Sequence, residues 1–278
     1  MKYYNFTGKI TSNQSILNPN NRAFRYGDSI FEAMYFTNNK IISLKKHWKR
    51  LHYGLSILKM NPTKFQSISD FEQQCYELIN KNNIEGAARI RLQIWRKNGG
   101  LYLPKTNDIE YIIEVSPLEN NIYKLSNKGL IIGIALDIYK DVNFFSKIKT
   151  NTKQEMILAA MQASENNWDD ALILSSKGKI VESSNSNIFI LKDNSLLTPP
   201  LNDGPLNGIM RQNIIEAANN LFIKVNEKSI SPNDLLKANE VFLTNSIKGI
   251  QWVETFETKS FTNNLSLKLV NYLNTNML

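Results

Sequence analysis

A single carboxylate and a block of short polar side chains separate two apolar runs in the middle of the chain. The stretch is GKIVESSNSNIFIL, residues 178–191, in which Glu182 precedes five Ser and Asn residues. A carboxylate between core-forming segments needs a positively charged or hydrogen-bonding partner. Because Asn and Ser also favour turns, the same pattern fits a simple hairpin loop. From this stretch alone, a binding site and a turn remain equal alternatives.

Other residue types that commonly carry chemistry are unfavourably spaced. The chain contains neither a GxGxxG fingerprint nor a GxxxxGK[ST] phosphate loop. His47 and His52 are five residues apart, which puts them on different faces of a helix and disfavours a metal pair. Cys75 lies in an apolar helical pattern and is predicted to be a packed residue. Since no histidine accompanies a candidate serine nucleophile, lysine chemistry remains.

Five motifs resemble the class IV aminotransferase family, the pyridoxal-phosphate enzymes of fold type IV, and stand in that family's order. They span roughly residues 20 to 255 and read NRAFRYGDSIFEAMYF with KKHWKRL, then IKT, KIVESSNSNIFIL, TPPLNDGPLNGIMRQ and EVFLTNSIKGIQWV. The resemblance implies a two-domain α+β fold like that of D-amino-acid aminotransferase, with pyridoxal 5'-phosphate between the domains. It also implies a homodimer.

The resemblance assigns cofactor contacts residue by residue. Pyridoxal phosphate needs a lysine that holds it as a Schiff base, a carboxylate facing its pyridinium nitrogen and an anion-binding cup for its phosphate. Lys149 matches the lysine, with Lys147 as the local alternative, and Glu182 matches the carboxylate. The family usually has Asn three residues after this lysine, where this sequence has Thr152, followed by Lys153. The other implied cofactor contacts are Arg50, Ser183, Asn187, Gly208, Ile209, Met210, Ser246 and Ile247.

Substrate contacts are implied on two strand-like runs. Phe31 and Tyr35 would face the substrate, and the arginine-rich run RIRLQIWR offers carboxylate contacts through Arg89 and Arg91. Alternation along a strand puts these two arginines on one face and Arg96 on the other.

The same residues serve two reactions. In both, Lys149 is displaced by the substrate amine and then acts as general base and acid. The forms LNGIMRQ and TNSIKGI and the run RIRLQIWRKNGG look like aminodeoxychorismate lyase, which releases pyruvate and 4-aminobenzoate in folate synthesis; the sequence favours this reaction. Leu101 stands where that lyase has an arginine. The alternative is an aminotransferase that passes the amino group of a branched-chain or D-amino acid to 2-oxoglutarate. A non-catalytic ligand-binding protein is the more distant alternative.

Helices and strands must position these residues. Residues 40–44 predict a strand and residues 47–60 an amphipathic helix with Trp48, Leu51, Leu55 and Leu58 near one face. A helix over about residues 153–166 follows Lys149. Its predicted anchors are Met156, Ile157, Ala160 and Met161. We expect a small N-terminal α/β domain over residues 1–116, a linker over 117–125 and a larger cofactor-binding domain over 126–278.

Composition limits the partners. The 278 residues carry a net charge of +8 from scattered lysines and arginines, so nucleic acid is not the predicted partner. The charge is compatible with an anionic small molecule, and the resemblance implies that this molecule also carries an amino group. No run approaches the roughly 20 apolar residues of a membrane span. The sequence therefore predicts a cytoplasmic protein that binds no membrane.

Overall fold

The chain divides into two compact units in this computed structural model, which describes residues 2–12, 19–63, 65 and 67–278. The first unit comprises Met1–Asn121 and Ile148–Thr152, and the second comprises Ile122–Lys147 and Lys153–Leu278. The change of unit after Asn121 falls within residues 117–125, where the sequence predicts a linker. The segment Ile148–Thr152, assigned by sequence to the second domain, makes its contacts in the first unit.

The first unit is built on an antiparallel sheet. Its described strands are β1 (Tyr4–Phe6), β2 (Lys9–Thr11), β3 (Ser29–Thr37), β4 (Lys40–Ile41), β5 (Ala88–Arg96) and β6 (Ile109–Pro117). They lie in the order β2-β1-β6-β5-β3-β4. Its described helices are α1 (Arg22–Tyr26), α2 (Leu44–Ile57) and α3 (Ile68–Lys81).

Helix α2 packs on this sheet through the predicted apolar stripe. Leu51 and Leu55 are buried, and Trp48 and Leu58 pack against the same core. Residues three and four apart share one face of a helix, which explains why these four side chains reach the sheet together. Cys75 of α3 is buried in this core, which confirms its prediction as a packed residue.

The predicted strand over residues 40–44 is wrong beyond its first two residues. Only Lys40 and Ile41 pair, with Thr37 and Phe36 of β3. Ser43 has φ 56°, in the left-handed region, and helix α2 begins at the next residue. A strand cannot continue through such a residue, so the apolar run KIISL is divided between a strand and a helix.

The segment Ile148–Thr152 pairs with the first residues of β3. The N–H of Phe31 donates to the carbonyl of Lys149 (2.9 Å), and the N–H of Asn151 donates to the carbonyl of Ser29 (3.2 Å). These two bonds form an antiparallel bridge in the first unit. They hold the backbone of Lys149 against β3.

The second unit has a larger, mixed sheet. Its described strands are β7 (Leu130–Tyr139), β8 (Asp170–Leu174), β9 (Ile180–Ser183), β10 (Asn187–Lys192), β11 (Ser195–Thr198), β12 (Val225–Glu227), β13 (Glu240–Asn245), β14 (Gly249–Phe256) and β15 (Lys259–Ser260). The order is β12-β11-β10-β13-β14-β7-β8-β9, and β15 pairs with β14. Its described helices are α4 (Gln154–Glu165), α5 (Ile209–Asn220), α6 (Pro232–Leu236) and α7 (Asn264–Met277), with a 3-10 turn at Leu201–Asp203. Within the described part of the chain, no helix is both long and apolar enough to cross a membrane.

The strand order forces this sheet to curl. Strands β9 and β10 stand five positions apart, which in a flat sheet is about 24 Å. The chain from Ser183 to Asn187 reaches at most about 14 Å, so β9 must return towards β10. The simple hairpin interpretation is therefore wrong: β9 pairs with β8, and β10 pairs with β11 and β13. The residues between β9 and β10 still form a tight turn, which the N–H of Ser183 closes on the carbonyl of Ser186 (2.8 Å).

Helix α4 packs on the sheet through a different face from the predicted one. Ala159 and Ala163 are buried, and Met156 packs partly against the same cluster. Ile157 and Met161 are 59% and 53% exposed, and Ala160 is also exposed, so only Met156 of the predicted anchors contacts the core. Alanine lets the helix lie close to the strands, which leaves the larger apolar side chains facing outward.

Candidate active site

Strand β3 and helix α2 bring a carboxylate, an imidazole and a guanidinium together in the first unit. Arg50 donates from Nε to Oε1 of Glu32 (2.8 Å) and from Nη2 to Oε2 (2.5 Å). His47 Nδ1 lies 2.7 Å from the same Oε2. Because His47 and Arg50 are three residues apart on α2, they share the helix face that covers β3. Glu32 therefore fixes the orientation of Arg50, the predicted phosphate contact.

Burial and charge oppose each other in this cluster. Burial by itself raises the pKa of Glu32, but Arg50 and His47 outweigh it and lower that pKa to about 2. Burial lowers the pKa of His47 and Glu32 raises it, while Arg50 and Lys149 lower it further, so the net shift is downward. At neutral pH the imidazole is therefore neutral and donates from Nδ1 to an ionised Glu32. His47 Nε2 is buried and has no hydrogen-bond partner among the described residues.

Lys149 and Arg91 share one aromatic neighbour. The Nζ atom of Lys149 lies 4.4 Å from the centroid of the Phe31 ring, and the guanidinium carbon of Arg91 lies 4.4 Å from the same centroid. Both distances fall in the range of cation–π attraction. Lys149 is half-buried, whereas its local alternative Lys147 is exposed. The structure thus brings a predicted catalytic lysine, a predicted substrate aromatic and a predicted carboxylate contact together.

The arginines of β5 divide between the two faces of the sheet, as the alternation predicts. Arg89 is exposed and Arg91 half-buried, whereas Arg96 is buried and donates from Nε to Asp28 (3.0 Å). Burial lowers the pKa of Arg91, and Arg89 lowers it further by charge repulsion. Two neighbouring guanidinium groups stabilise an anion that approaches both, so this face can bind a carboxylate.

Tyr35, the other predicted substrate aromatic, lies deeper. It follows Phe31 by four residues on β3 and points to the same face of the strand. Its ring is buried, and its hydroxyl donates to the carbonyl of Asn120 (2.7 Å). Tyr35 therefore supports this face of the sheet by packing, and its contact with a substrate stays a prediction.

Glu182 of the second unit is buried and receives hydrogen bonds from three residues. Lys140 Nζ donates to Oε1. The backbone N–H of Leu206 donates to Oε2 (2.9 Å), and Nδ2 of Asn187 lies 3.4 Å from the same atom. The side chains of Lys140 and Glu182 are 8% and 7% exposed. The carboxylate thus has the charged and neutral partners that burial requires.

Sequence reasoning missed Lys140 and Leu206. They are 42 and 24 residues from Glu182 in the chain. Lys140 directly follows β7, and a lysine after an apolar strand is an ordinary feature, so no local pattern connects it with Glu182. The pKa of Lys153 is affected by both Lys140 and Glu182. Burial lowers this pKa, Lys140 lowers it further and Glu182 raises it.

Helix α5 begins directly after Gly208, and none of the described side chains caps it. A Cβ on Gly208 would lie 2.0 Å from Oδ1 of Asn187, so only glycine allows this close approach. The N–H groups of Ile209 and Met210 are in the first turn, where intrahelical partners are missing and anions bind readily. Thr244, opposite Asn187 on β13, has a buried hydroxyl without a partner among the residues described.

Three further predicted cofactor contacts lie at the ends of β9 and β13. Ser183 is buried, and its hydroxyl donates to Oδ2 of Asp170 (2.7 Å). The N–H of Ile247 donates to Oδ1 of Asn245 (3.1 Å), and Ser246 between them is half-buried. Ser183 therefore shapes the turn after Glu182. A direct contact with the cofactor stays a prediction for Ser183, Ser246 and Ile247.

The residues present fit pyridoxal phosphate. Within the second unit, Glu182 is a buried carboxylate of the kind a protonated ring nitrogen needs, and the uncapped helix start after Gly208 has N–H donors of the kind a phosphate needs. Within the first unit, Lys149 is a half-buried amine. Contact of these groups with the cofactor stays a prediction. The unpartnered hydroxyl of Thr244, beside Asn187, is a further buried polar group that a ligand can satisfy.

Comparison with known proteins agrees with this chemistry. The family model "Amino-transferase class IV" matches residues 29–256. A Methanocaldococcus jannaschii protein named "Putative branched-chain-amino-acid aminotransferase" is 30% identical over 242 residues, which cover 84% of this chain and 79% of that protein.

Two solved structures share the fold. The branched-chain amino acid aminotransferase of Thermobaculum terrenum in its PLP form superposes with a TM-score of 0.85 at 20% identity and covers 98% of this chain and 92% of its own. A Legionella pneumophila structure titled "Putative 4-amino-4-deoxychorismate lyase" gives 0.83 at 24% identity, with coverage of 95% and 96%. The expected α+β fold type IV is confirmed. With the family model matching most of its length, this chain belongs to the class IV aminotransferases and is an enzyme that depends on pyridoxal phosphate.

Proposed function

We propose that this enzyme is an amino-acid aminotransferase that passes the amino group of a branched-chain amino acid to 2-oxoglutarate. The observation that carries the proposal is the Phe31 ring, which lies 4.4 Å from both Lys149 and Arg91. An aminotransferase must accept an apolar side chain and a second carboxylate in turn. An aromatic ring beside an arginine offers both, next to the proposed catalytic lysine.

The proposed roles of the cofactor contacts follow from their chemistry. Bound pyridoxal phosphate supplies an electron sink for the negative charge that develops at the substrate carbon. Lys149 would take the proton from the substrate carbon and deliver it to the cofactor, where the amino group would remain while the substrate leaves as a keto acid. Glu182 would hold the proton on the ring nitrogen. Asn187 and Ser183 keep Glu182 in place. Six residues are proposed to bind the phosphate: Arg50, Ser246, Ile247 and, at the start of α5, Gly208, Ile209 and Met210.

The second carboxylate of 2-oxoglutarate is proposed to bind the face of β5 that carries Arg89 and Arg91. Burial and then repulsion by Arg89 lower the pKa of Arg91, although Glu114 at 3.8 Å raises it, so a substrate anion beside the two arginines reduces their mutual repulsion further. Phe31 and Tyr35 would pack against the apolar part of the substrate. The 30% identity to a relative named for branched-chain amino acids supports this substrate class.

The second candidate is 4-amino-4-deoxychorismate lyase, which the motif comparison placed first. The run LNGIMRQ and the match to a structure titled for that lyase support it. Leu101, in the position of the lyase arginine, is 72% exposed and carries no charge for a substrate carboxylate. Because two of the three compared proteins bear branched-chain aminotransferase names, we place the aminotransferase first.

We propose further that two copies associate through the outward face of α4. Ile157, Leu158 and Met161 are at least half exposed there, and Leu136 of β7 is 69% exposed. Gln162 of α4 donates to and accepts from the backbone of Leu136 (2.9 and 2.8 Å), which places Leu136 beside α4, and we propose that these side chains form one apolar patch. Contiguous apolar patches of this kind mark interaction surfaces.

Substrate assays of the purified enzyme test the proposal. Leucine or D-alanine would be supplied with 2-oxoglutarate and pyridoxal phosphate, and aminodeoxychorismate in parallel. We expect glutamate from leucine and no 4-aminobenzoate. Formation of 4-aminobenzoate without glutamate would reverse the two candidates.

The proposed role of Lys149 has a matched control. Lys149→Ala should lose both the activity and the visible absorption band of the lysine-bound cofactor. Lys147→Ala should keep both, since Lys147 is exposed. The opposite result would move the catalytic role to Lys147.

A further inference from the structure

We propose that Lys140 is a positioning residue that shares the negative charge of Glu182 with the ring nitrogen of pyridoxal phosphate. The enzyme then presents this nitrogen with a carboxylate that is already half neutralised. The inference rests on the proposed role of Glu182 and goes beyond it by assigning a task to a lysine that no sequence motif marks.

The geometry separates the two oxygens of Glu182. Oε2 is held by the neutral donors of Leu206 and Asn187, at 2.9 and 3.4 Å. Oε1 accepts from the ammonium of Lys140. Since neutral donors already orient the carboxylate, the distinct contribution of Lys140 is its charge.

Lys140 is itself fixed for this task. It follows β7 directly, and its N–H donates to the carbonyl of Leu174 at the end of β8 (2.9 Å). Its side chain is 8% exposed, so its charge is little screened by water. The lowered pKa of Lys153, to which Lys140 contributes, indicates that this charge acts on its surroundings.

Two cations around one buried carboxylate compete for the same charge. When a protonated ring nitrogen approaches Glu182, it gains less from a paired carboxylate than from an unpaired one. Conversely, a cofactor without that nitrogen still leaves Glu182 paired with Lys140. Removal of the charge of Lys140 should therefore make the enzyme more dependent on the ring nitrogen.

Binding measurements on the full chain without cofactor test this dependence and need no turnover. The dissociation constants would be measured for pyridoxal phosphate and for its 1-deaza analogue, in which carbon replaces the ring nitrogen. The ratio of the two constants reports the contribution of that nitrogen. Lys140→Gln removes the charge and keeps a hydrogen-bond donor, and Lys140→Met removes both.

In Lys140→Gln we expect the dissociation constant of the analogue, divided by that of pyridoxal phosphate, to rise about tenfold. A nearby charge shifts the pKa of a group by one unit or more, which is a tenfold change in an equilibrium constant. Lys140→Arg should keep the wild-type ratio. A purely structural lysine would weaken both ligands equally, so an unchanged or reduced ratio in Lys140→Gln overturns the proposal. If Lys140→Met does not fold, Lys140→Gln and Lys140→Arg still decide.

Two controls separate this proposal from the assignment of Glu182. Lys192 forms a comparable pair with Asp234 (2.7 Å) away from the proposed site, and Lys192→Gln should leave the ratio unchanged. Glu182→Gln should bring the ratio close to one. If wild type and Glu182→Gln have equal ratios, the role of Glu182 is wrong. If these two differ while Lys140→Gln matches wild type, only the role of Lys140 is wrong.

Discussion

The ammonium of Lys149 lies 4.4 Å from the centroid of the Phe31 ring, and the two residues are joined at the backbone by a 2.9 Å hydrogen bond. The ring therefore has a fixed relation to the lysine and not a transient one. The guanidinium of Arg91 lies at the same distance from that centroid. Any substrate that approaches Lys149 from this side meets an aromatic ring and a positive charge together.

The aromatic face of Phe31 can be tested by keeping its apolar bulk. We expect Phe31→Leu to lower kcat/KM about fivefold to thirtyfold, because two cation–π contacts of about 0.5–1 kcal/mol each are lost. Phe31→Tyr keeps the ring and should stay close to wild type. Steady-state kinetics with leucine and 2-oxoglutarate would measure the effect, and equal values for Phe31→Leu and wild type would count against it.

The carboxylate contact of Arg91 predicts a difference between the two substrates. Loss of a charged hydrogen bond costs about 1.5–3 kcal/mol, so Arg91→Met should raise KM for 2-oxoglutarate about tenfold or more. The KM for leucine, which has no second carboxylate, should change much less. Arg89→Met is the comparison variant and should raise this KM less, because Arg89 is more exposed and lies nearer the start of β5. Equal rises for both substrates in Arg91→Met would show that this arginine does not distinguish them.

The close approach of Gly208 to Asn187 predicts a steric effect on the cofactor site. Gly208→Ala places a Cβ 2.0 Å from Oδ1 of Asn187, so the Asn187 side chain or the start of α5 must move. We expect weaker binding of pyridoxal phosphate and a loss of about 1–3 kcal/mol in the free energy of unfolding.

A double variant identifies the origin of this loss. Asn187→Ala removes the colliding atom, so Gly208→Ala should cost less stability in that background, as denaturant unfolding would measure. If the two substitutions lower the free energy of unfolding additively, the clash with Asn187 is not the cause of the loss in Gly208→Ala.

The cluster of Glu32, His47 and Arg50 predicts two acid-sensitive ranges of stability. Both folded-state pKa values are lowered, so the unfolded chain binds more protons and stability falls as the pH falls. For His47 the loss begins below its ordinary value of 6.5. For Glu32 it lies between the ordinary value of 4.5 and about 2, and amounts to about 3 kcal/mol in total.

Thermal unfolding as a function of pH would separate these two contributions. His47→Gln keeps a donor for Glu32 but does not titrate, so its melting temperature should fall less between pH 6.5 and 5. Glu32→Gln should be destabilised already at pH 7, because it leaves Arg50 buried without its counter-charge. If the melting temperature of His47→Gln falls as much between pH 6.5 and 5 as that of the wild type, protonation of His47 does not cause the loss of stability in this range.

The apolar face of α4 predicts self-association. Leu158 is 50% exposed, and Leu158→Glu places a charge in the proposed interface without entering the core of the unit. Sedimentation should give a dimer for the wild type and a shift towards monomer for this variant. Glu165→Gln at the end of the same helix is the control, and identical sedimentation of the wild type and Leu158→Glu would exclude this face.

The sequence predicted those features of the protein that depend on residues close together in the chain. Periodicity predicted the buried side of α2, because residues three and four apart necessarily share a helix face. Alternation predicted the split between Arg91 and Arg96, because successive strand residues point to opposite sides. Motif order predicted the family and the cofactor, and it singled out Lys149 and Glu182 as candidates.

The tertiary structure decided which distant groups meet. Glu182 is surrounded by sequence that allows either a turn or a site, and only the tertiary structure of the second unit, in which β7 lies beside β8 and β8 beside β9, brings Lys140 and Leu206 to its two oxygens. Likewise, α4 has apolar residues on more than one side, and the strands beneath it selected the alanine face. Such contacts depend on the order of the strands and on how closely the elements pack. Neither property produces a periodic pattern of residues in a single sequence.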